Sequence, residues 1–99
     1  MEPIKRFNNS ITEGNLWIYV LALAKEVEIK EEDVNRLIFE KFGFLPSLLM
    51  IKTVLFRLRK DDYITKEKLA GKKAYKTSEK GIDELGKMRE KCQDLLQKI

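Results

Sequence analysis

Histidine is absent from this sequence, cysteine occurs once (Cys92) and proline twice. Without histidine, the commonest general acid–base group and metal ligand is missing, and one cysteine allows neither an internal disulfide nor a four-ligand Cys/His zinc site. No metal or other cofactor is expected. Few groups remain for nucleophilic or acid–base catalysis. Cys92 falls on the apolar stripe of a helix and reads as an interface hydrophobe, and the Asp61-Asp62 pair reads as a helix terminus and turn. The chain is therefore not expected to be an enzyme. Long hydrophobic runs are also missing: the longest, residues 16–24, has nine residues, where a bilayer span needs about 20. The opening "MEPIKRFNNS" has no apolar signal core. No membrane partner is expected, and scarce cysteine fits a reducing, cytoplasmic location.

Present instead are 99 residues, 43% hydrophobic and 36% charged, enough for one domain around one core. The net charge of +4 is unevenly spread. Residues 26–40 hold six acids (Glu26, Glu28, Glu31, Glu32, Asp33, Glu40) against Lys30 and Arg36, whereas residues 52–80 hold ten bases against four acids. Such a chain has one side that attracts anions and one that repels them. The densest run, "KEKLAGKKAYKTSEKG" at residues 66–81, carries six lysines.

Read for periodicity, residues 1–9 form a flexible polar arm, and Ser10 with Glu13 has the spacing of a capping box that opens a first helix. Its body, "LWIYVLALAK", is apolar on almost every side and needs cover on more than one face. A second helix starts near Lys30, with acids in its first turn, and carries Val34, Leu37, Ile38 and Phe42 to a stop at Gly43. A third helix starts at Pro46-Ser47 and runs to about Lys60. At 100° per residue, Leu48, Ile51, Val54, Leu55 and Leu58 share its inner face, and Leu49, Lys52, Thr53, Phe56, Arg57 and Lys60 its outer one. Two β-prone runs follow, "YITKEKL" and "KKAYKT", joined by Ala70-Gly71 as a hairpin. Ser78 caps a final helix with an apolar stripe of Ile82, Leu85, Cys92, Leu96 and Ile99, widened by Met88 and Leu95 and interrupted by Arg89. Nothing obvious in one chain covers that stripe, which points to a helical homodimer.

The order helix, helix, helix, hairpin, helix is a winged helix-turn-helix arrangement: a mainly α, α+β fold with the DNA-binding domain at residues 10–78 and a dimerisation helix at 79–99. Two motifs add a resemblance. "VLFRLRKDDYI" (54–64) resembles the end of the third helix and entry to the wing in PadR-like transcriptional regulators. "AYKTSEKGIDEL" (74–85) resembles that family's tyrosine-x-leucine-threonine-x-x-glycine junction. The likeness extends more loosely to small winged-helix regulators of archaea and their viruses. The chain departs from the pattern at Lys52 (usually tyrosine), Asp62 (commonly glycine) and Thr77 (usually leucine). The resemblance implies a homodimer in which each last helix packs on the first and last helices of its partner, which places Leu16, Trp17, Val20, Ile82, Leu85, Met88, Arg89, Cys92, Leu95, Leu96 and Ile99 at the interface.

The expected partner is double-stranded DNA, bound specifically by a regulator whose expected outcome is repression. Ser47, Leu49, Lys52, Thr53 and Arg57 would lie in the major groove, with Lys66, Lys68, Lys72, Lys73 and Lys76 of the wing on phosphates. Phe56 either meets a thymine methyl or tucks beneath the wing as core, the latter being expected. The competing reading is a winged-helix protein-interaction module docking through Leu49, Met50 and Phe56. Trp17 and Tyr19 are read as packing residues rather than as the lining of a small-molecule effector pocket between subunits.

Overall fold

The computed structural model describes residues 2–99. Eight regular elements follow in order: α1 (Pro3–Ile11), α2 (Leu16–Leu23), β1 (Ile29–Lys30), α3 (Val34–Phe42), α4 (Leu48–Lys60), β2 (Ile64–Leu69), β3 (Lys72–Thr77) and α5 (Glu79–Lys98). The strands form one antiparallel sheet in the order β1-β3-β2. Helices, hairpin and final helix thus stand in the winged helix-turn-helix order that the sequence implies.

The N-terminal segment differs from the expected arm. Pro3 occupies the first turn of α1, where its missing N–H costs nothing, and the helix runs to Ile11 with Ser10 in its interior. Ser10 therefore caps nothing. Thr12 Oγ1 donates to the Asn8 carbonyl at 2.9 Å and Asn15 Nδ2 to the Ser10 carbonyl at 2.6 Å. These short polar side chains end α1 by competing for its backbone. A 3-10 turn, Glu13–Asn15, then leads into α2.

The second expected helix is also preceded by structure the sequence did not reveal. Ile29 and Lys30 pair with Tyr75 and Ala74 as a third strand, and Glu31–Asp33 form a 3-10 turn before α3. Gly43, at φ +83°, closes α3 with its N–H on the Phe39 carbonyl. Ser47 caps α4 by accepting from the Met50 N–H at 3.2 Å.

Helical spacing on α4 buries Ile51, Leu55 and Leu58 against Leu16, Val20 and Leu21 of α2, Val34 and Ile38 of α3, Ile64 and Tyr75 of the sheet and Leu85 of α5. Leu48 does not follow the expectation: it is 64% exposed, because the first turn of α4 overhangs the core. The expected interface residues Leu16, Val20 and Leu85 prove to be core of this same chain. Trp17 and Met88 are half-buried, whereas Ile82, Arg89, Cys92, Leu95, Leu96 and Ile99 are exposed.

At the hairpin exit several elements meet within bond distance. Thr77 donates its N–H to the Ala24 carbonyl (2.9 Å) and its hydroxyl to the Leu21 carbonyl (2.8 Å), the second being a bond a leucine could not make. Ser78 donates its N–H to the Tyr63 carbonyl at 3.0 Å and caps α5 through the Gly81 N–H. Gly81 has no room for a side chain: a Cβ would collide with the Tyr63 carbonyl oxygen and lie 2.7 Å from Thr77 Cγ2. Asp62 stands at φ +64°, which explains why glycine suits that position.

The radius of gyration, 14.2 Å, exceeds the roughly 13 Å of a compact domain of this length. The excess lies in α1, which has no buried residue, and in residues 91–99 of α5, which are exposed throughout.

Gly81→Ala is expected to destabilise the fold by about 2–3 kcal/mol through overpacking against backbone. Gly86→Ala, in open space on the same helix, is expected to stabilise it by up to about 1 kcal/mol. Denaturant midpoints with unchanged slopes check both, and equal effects would contradict the close junction.

Candidate nucleic-acid interface

The exposed side of α4 has three lines. Leu49, Thr53, Phe56 and Lys60 lie outermost; Lys52 and Arg59 lie on the flank next to the hairpin; Arg57 lies on the opposite flank. Leu49 is 75% and Phe56 69% exposed, so Phe56 does not tuck beneath the wing as expected. Thr53 donates its hydroxyl to the Leu49 carbonyl at 2.9 Å, and Ser47 is held as the cap.

The hairpin is closed by Ala70 and Gly71 at φ +54° and +77°, a two-residue turn whose twist matches its strands. That turn sets the register Leu69 opposite Lys72, and hence Lys66 opposite Tyr75 and Lys68 opposite Lys73. Directly opposed residues share a face. Lys66, Lys68 and Lys73 therefore stand on the side toward α4, with Tyr75, while Lys72 and Lys76 stand on the reverse. The five wing lysines of the sequence reading are split by the pleat. On the reverse, Lys72 pairs with Glu32 at 3.0 Å and Lys76 donates to the Glu26 carbonyl at 2.6 Å. Glu28 and Glu67 meet there too, and the hydrogen bond and charge of Glu67 raise the Glu28 pKa. The acidic segment 26–33 thus backs the hairpin.

On the front, α4 and the hairpin enclose a crevice of about 270 Å³ lined by Lys52, Phe56, Arg59, Lys66, Lys73 and Tyr75, with Glu31 at its base. Tyr75 donates its hydroxyl to Glu31 Oε1 at 2.8 Å. Burial first, and the Glu31 carboxylate second, push the phenol up to about 12, with Arg59 pulling the other way. Among the described residues none of Lys52, Arg57, Arg59, Lys60, Lys66, Lys68 and Lys73 makes an ion pair, whereas Arg36, Lys72, Lys87 and Lys98 do. Arg59 is the cation that sequence reasoning missed, and its signal was its place two helical turns after Lys52.

Arg57 lies instead on the rim of a second cavity, about 550 Å³, lined by Trp17, Met50, Val54 and Leu58 and by the acids Glu13, Asp61 and Glu84. Tyr19, paired with Trp17 in the sequence reading, packs edge-on against Phe42 and Phe44, with ring centroids 4.8 and 4.9 Å away. Its hydroxyl donates to the Ile11 carbonyl. No described helix is long and apolar enough to cross a membrane, and no group of three or more potential metal ligands occurs among the described residues.

No protein-family model matches the chain, and no curated protein matches its sequence. Solved structures do match its fold. A PadR-like transcription factor from Bacteroides fragilis superposes with a TM-score of 0.76 at 19% identity over 94% of each chain. A winged-helix DNA-binding protein of the virus STIV gives 0.70 at 17% identity, over 85% of this chain and 92% of that one. Bacillus subtilis PadR, solved with operator DNA, gives 0.66 at 24% identity over 74% of this chain and 45% of its own length. The same protein has been solved with p-coumaric acid, at a TM-score of 0.64. The fold is therefore the winged helix of PadR-type regulators, as the two sequence motifs imply.

The Tyr75–Glu31 contact makes stability depend on alkaline pH. A folded-state pKa of about 12 lies above the ~10 of a free phenol, so the contribution is complete below pH ~10 and is lost as pH rises toward 12. In absorbance titrations Tyr75 should ionise late, beside Tyr19, which burial also raises. Glu31→Gln should undo the smaller part of the Tyr75 shift and leave the part due to burial, and Tyr75→Phe should remove that transition.

Proposed function

We propose that this chain is a transcriptional regulator that binds double-stranded DNA sequence-specifically as a homodimer. In this reading α4 enters the major groove and the α4-facing side of the hairpin grips the phosphate backbone. The observation that carries it is the crevice in which α4 and the hairpin that follows it bring the unpaired cations Lys52, Arg59, Lys66 and Lys73 together. Solvated lysines that served only solubility would not need to converge; four like charges facing one another repel, and a polyanion relieves that repulsion. The winged-helix neighbours support the reading, since one is named as DNA-binding and another was solved on its operator. Repression follows where the bound dimer occludes a promoter.

Within this reading the second copy covers what one chain leaves bare. Ile4, Phe7 and Ile11 recur on one face of α1, and Ile82, Leu95, Leu96 and Ile99 are exposed along α5. Helical faces of that size are ordinarily buried against a partner. Trp17, Met88, Arg89 and Cys92 adjoin them, while Leu16, Val20 and Leu85 support the interface from beneath.

A protein-docking module is the second reading, and the exposed Leu49 and Phe56 favour it. The cations that share two crevices with Phe56 suit a nucleic acid better than a typical protein partner.

Lys66→Ala with Lys73→Ala is expected to lower affinity for all duplexes alike and to flatten the salt dependence by about two units of slope. Lys72→Ala, on the reverse of the hairpin, should leave the slope nearly unchanged. Titrations across salt check this, and a native protein that binds duplex DNA only weakly even at low salt would favour the docking module. Leu95→Asp with Leu96→Asp should convert a sedimenting dimer into a monomer with unchanged helical content. A native chain that already sediments as a monomer would remove the dimer from the reading.

A further inference from the structure

The outermost line of α4 carries apolar side chains where a nucleic-acid-binding helix would be expected to present polar ones. Leu49 is 75% and Phe56 69% exposed, so most of each side chain is left uncovered by the rest of the chain. Cations lie on both flanks: Phe56 shares one crevice with Arg59, Lys60, Lys66 and Asp62 and another with Lys52 and Lys73, and Leu49 lines the cavity that Arg57 shares with Glu13, Asp61 and Glu84. An apolar centre with cationic margins is the complement of the major groove. There, the floor offers base edges including the thymine C5 methyl, and the two rims are rows of phosphates about 12 Å apart.

Resting on the DNA-binding reading above, we propose that Leu49 and Phe56 determine sequence preference by packing against thymine methyl groups. Apart from Lys60 at the end of the line, hydrogen bonding from its side chains is limited. Thr53 has spent its donor on the Leu49 carbonyl, and Ser47 accepts from the Met50 N–H. Lys52 and Arg59 face the crevice and suit phosphates better than base edges. Seven residues separate Leu49 from Phe56, about 10 Å along a helix at about 1.5 Å per residue. That spans roughly three base-pair steps of about 3.4 Å. The preferred site should then carry two thymines about three steps apart in each half.

The test uses the full chain and a duplex recovered from a random-sequence pool by repeated selection on the native protein. That duplex is compared with versions in which uracil replaces thymine, which deletes only the methyl. Uracil at each of the two positions is expected to weaken native binding about fourfold, the factor equivalent to ~0.8 kcal/mol per buried methyl-sized group. Leu49→Ala should lose sensitivity at one position and Phe56→Ala at the other. The salt slope should stay unchanged, because no charge is removed. Both residues are exposed, and an unchanged unfolding midpoint confirms that the variants fold.

Equal native affinity for the thymine duplex and its fully uracil-substituted form overturns the proposal while leaving the DNA-binding reading intact. Uracil effects that persist in both alanine variants overturn the assignment to these residues. Failure of the native protein to retain any duplex at low salt overturns both readings, and a flattened slope for Lys66→Ala with Lys73→Ala separates that case from the first.

Discussion

Four elements are tied together where the hairpin ends, and the rest of the molecule takes its geometry from that tie. Thr77 holds the C-terminal end of α2 through two carbonyls, Ser78 holds the turn after α4 through the Tyr63 carbonyl, and Gly81 lets α5 lie against both. Each bond is individually modest, about 1 kcal/mol net, but together they leave the hairpin one angle relative to α4. That angle decides whether the cations of strand and helix share a crevice. A hairpin rotated by one pleat, or lifted by a side chain at position 81, would turn Lys66 and Lys73 away from Lys52 and Arg59.

Charge is arranged around this frame rather than spread over it. The acidic segment that opens α3 lies behind the hairpin, where Glu32 and the Glu26 carbonyl engage the reverse lysines. Glu31, from that same segment, bonds Tyr75 in the crevice and offsets part of the repulsion among the four cations there, and Asp62 lines the neighbouring crevice with Arg59, Lys60 and Lys66. The front is thus left with uncompensated charge. In the free protein that charge opposes folding and is screened by counterions. In a complex the same charge would release counterions from a polyanion, so the feature that weakens the free chain is the one that would drive binding.

Much of this was legible in the sequence because local signals agreed with one another. α4 has a serine cap, a three-four core stripe and a turn after it; the hairpin has a two-residue turn between β-prone runs; α5 has its own serine cap. Three features were hidden for physical reasons. α1 has two Asn, a Ser and two basic residues beside only a few apolar ones, so its pattern resembles a loop, and the Ser10–Glu13 spacing straddles the end of that helix instead of opening one. β1 is two residues long, too short for any periodicity to show. The side of the hairpin on which each lysine stands was recoverable, since Ala70-Gly71 as a two-residue turn fixes parity, but counting lysines without registering them merged two faces. Phe56 was misread for another reason: hydrophobicity suggested core, whereas its position on the helical wheel already placed it outside.

The exposed apolar side chains fall into two groups that differ in their neighbours, and this difference assigns them different partners. Those of α1 and of the last turns of α5 project beyond the core among charges of both signs: Lys87 and Lys98 are paired within their own helix, Lys5 and Arg6 follow Glu2, and Arg89 and Lys91 flank Glu90. An apolar face with so mixed a margin does not select a polyanion and gains most from another apolar face, which a second copy of the chain would provide. Phe56 lies instead beside a group of unpaired cations, and Leu49 beside Arg57 at the edge of the cavity that also holds Glu13, Asp61 and Glu84. Burying them against a hydrophobic surface would desolvate those cations with nothing to pair them, a penalty larger than the gain from two apolar side chains. Only a surface that alternates apolar and anionic groups at that spacing relieves both. This is why the same property, exposure of large hydrophobic residues, argues for self-association at one end of the molecule and for a nucleic acid at the other.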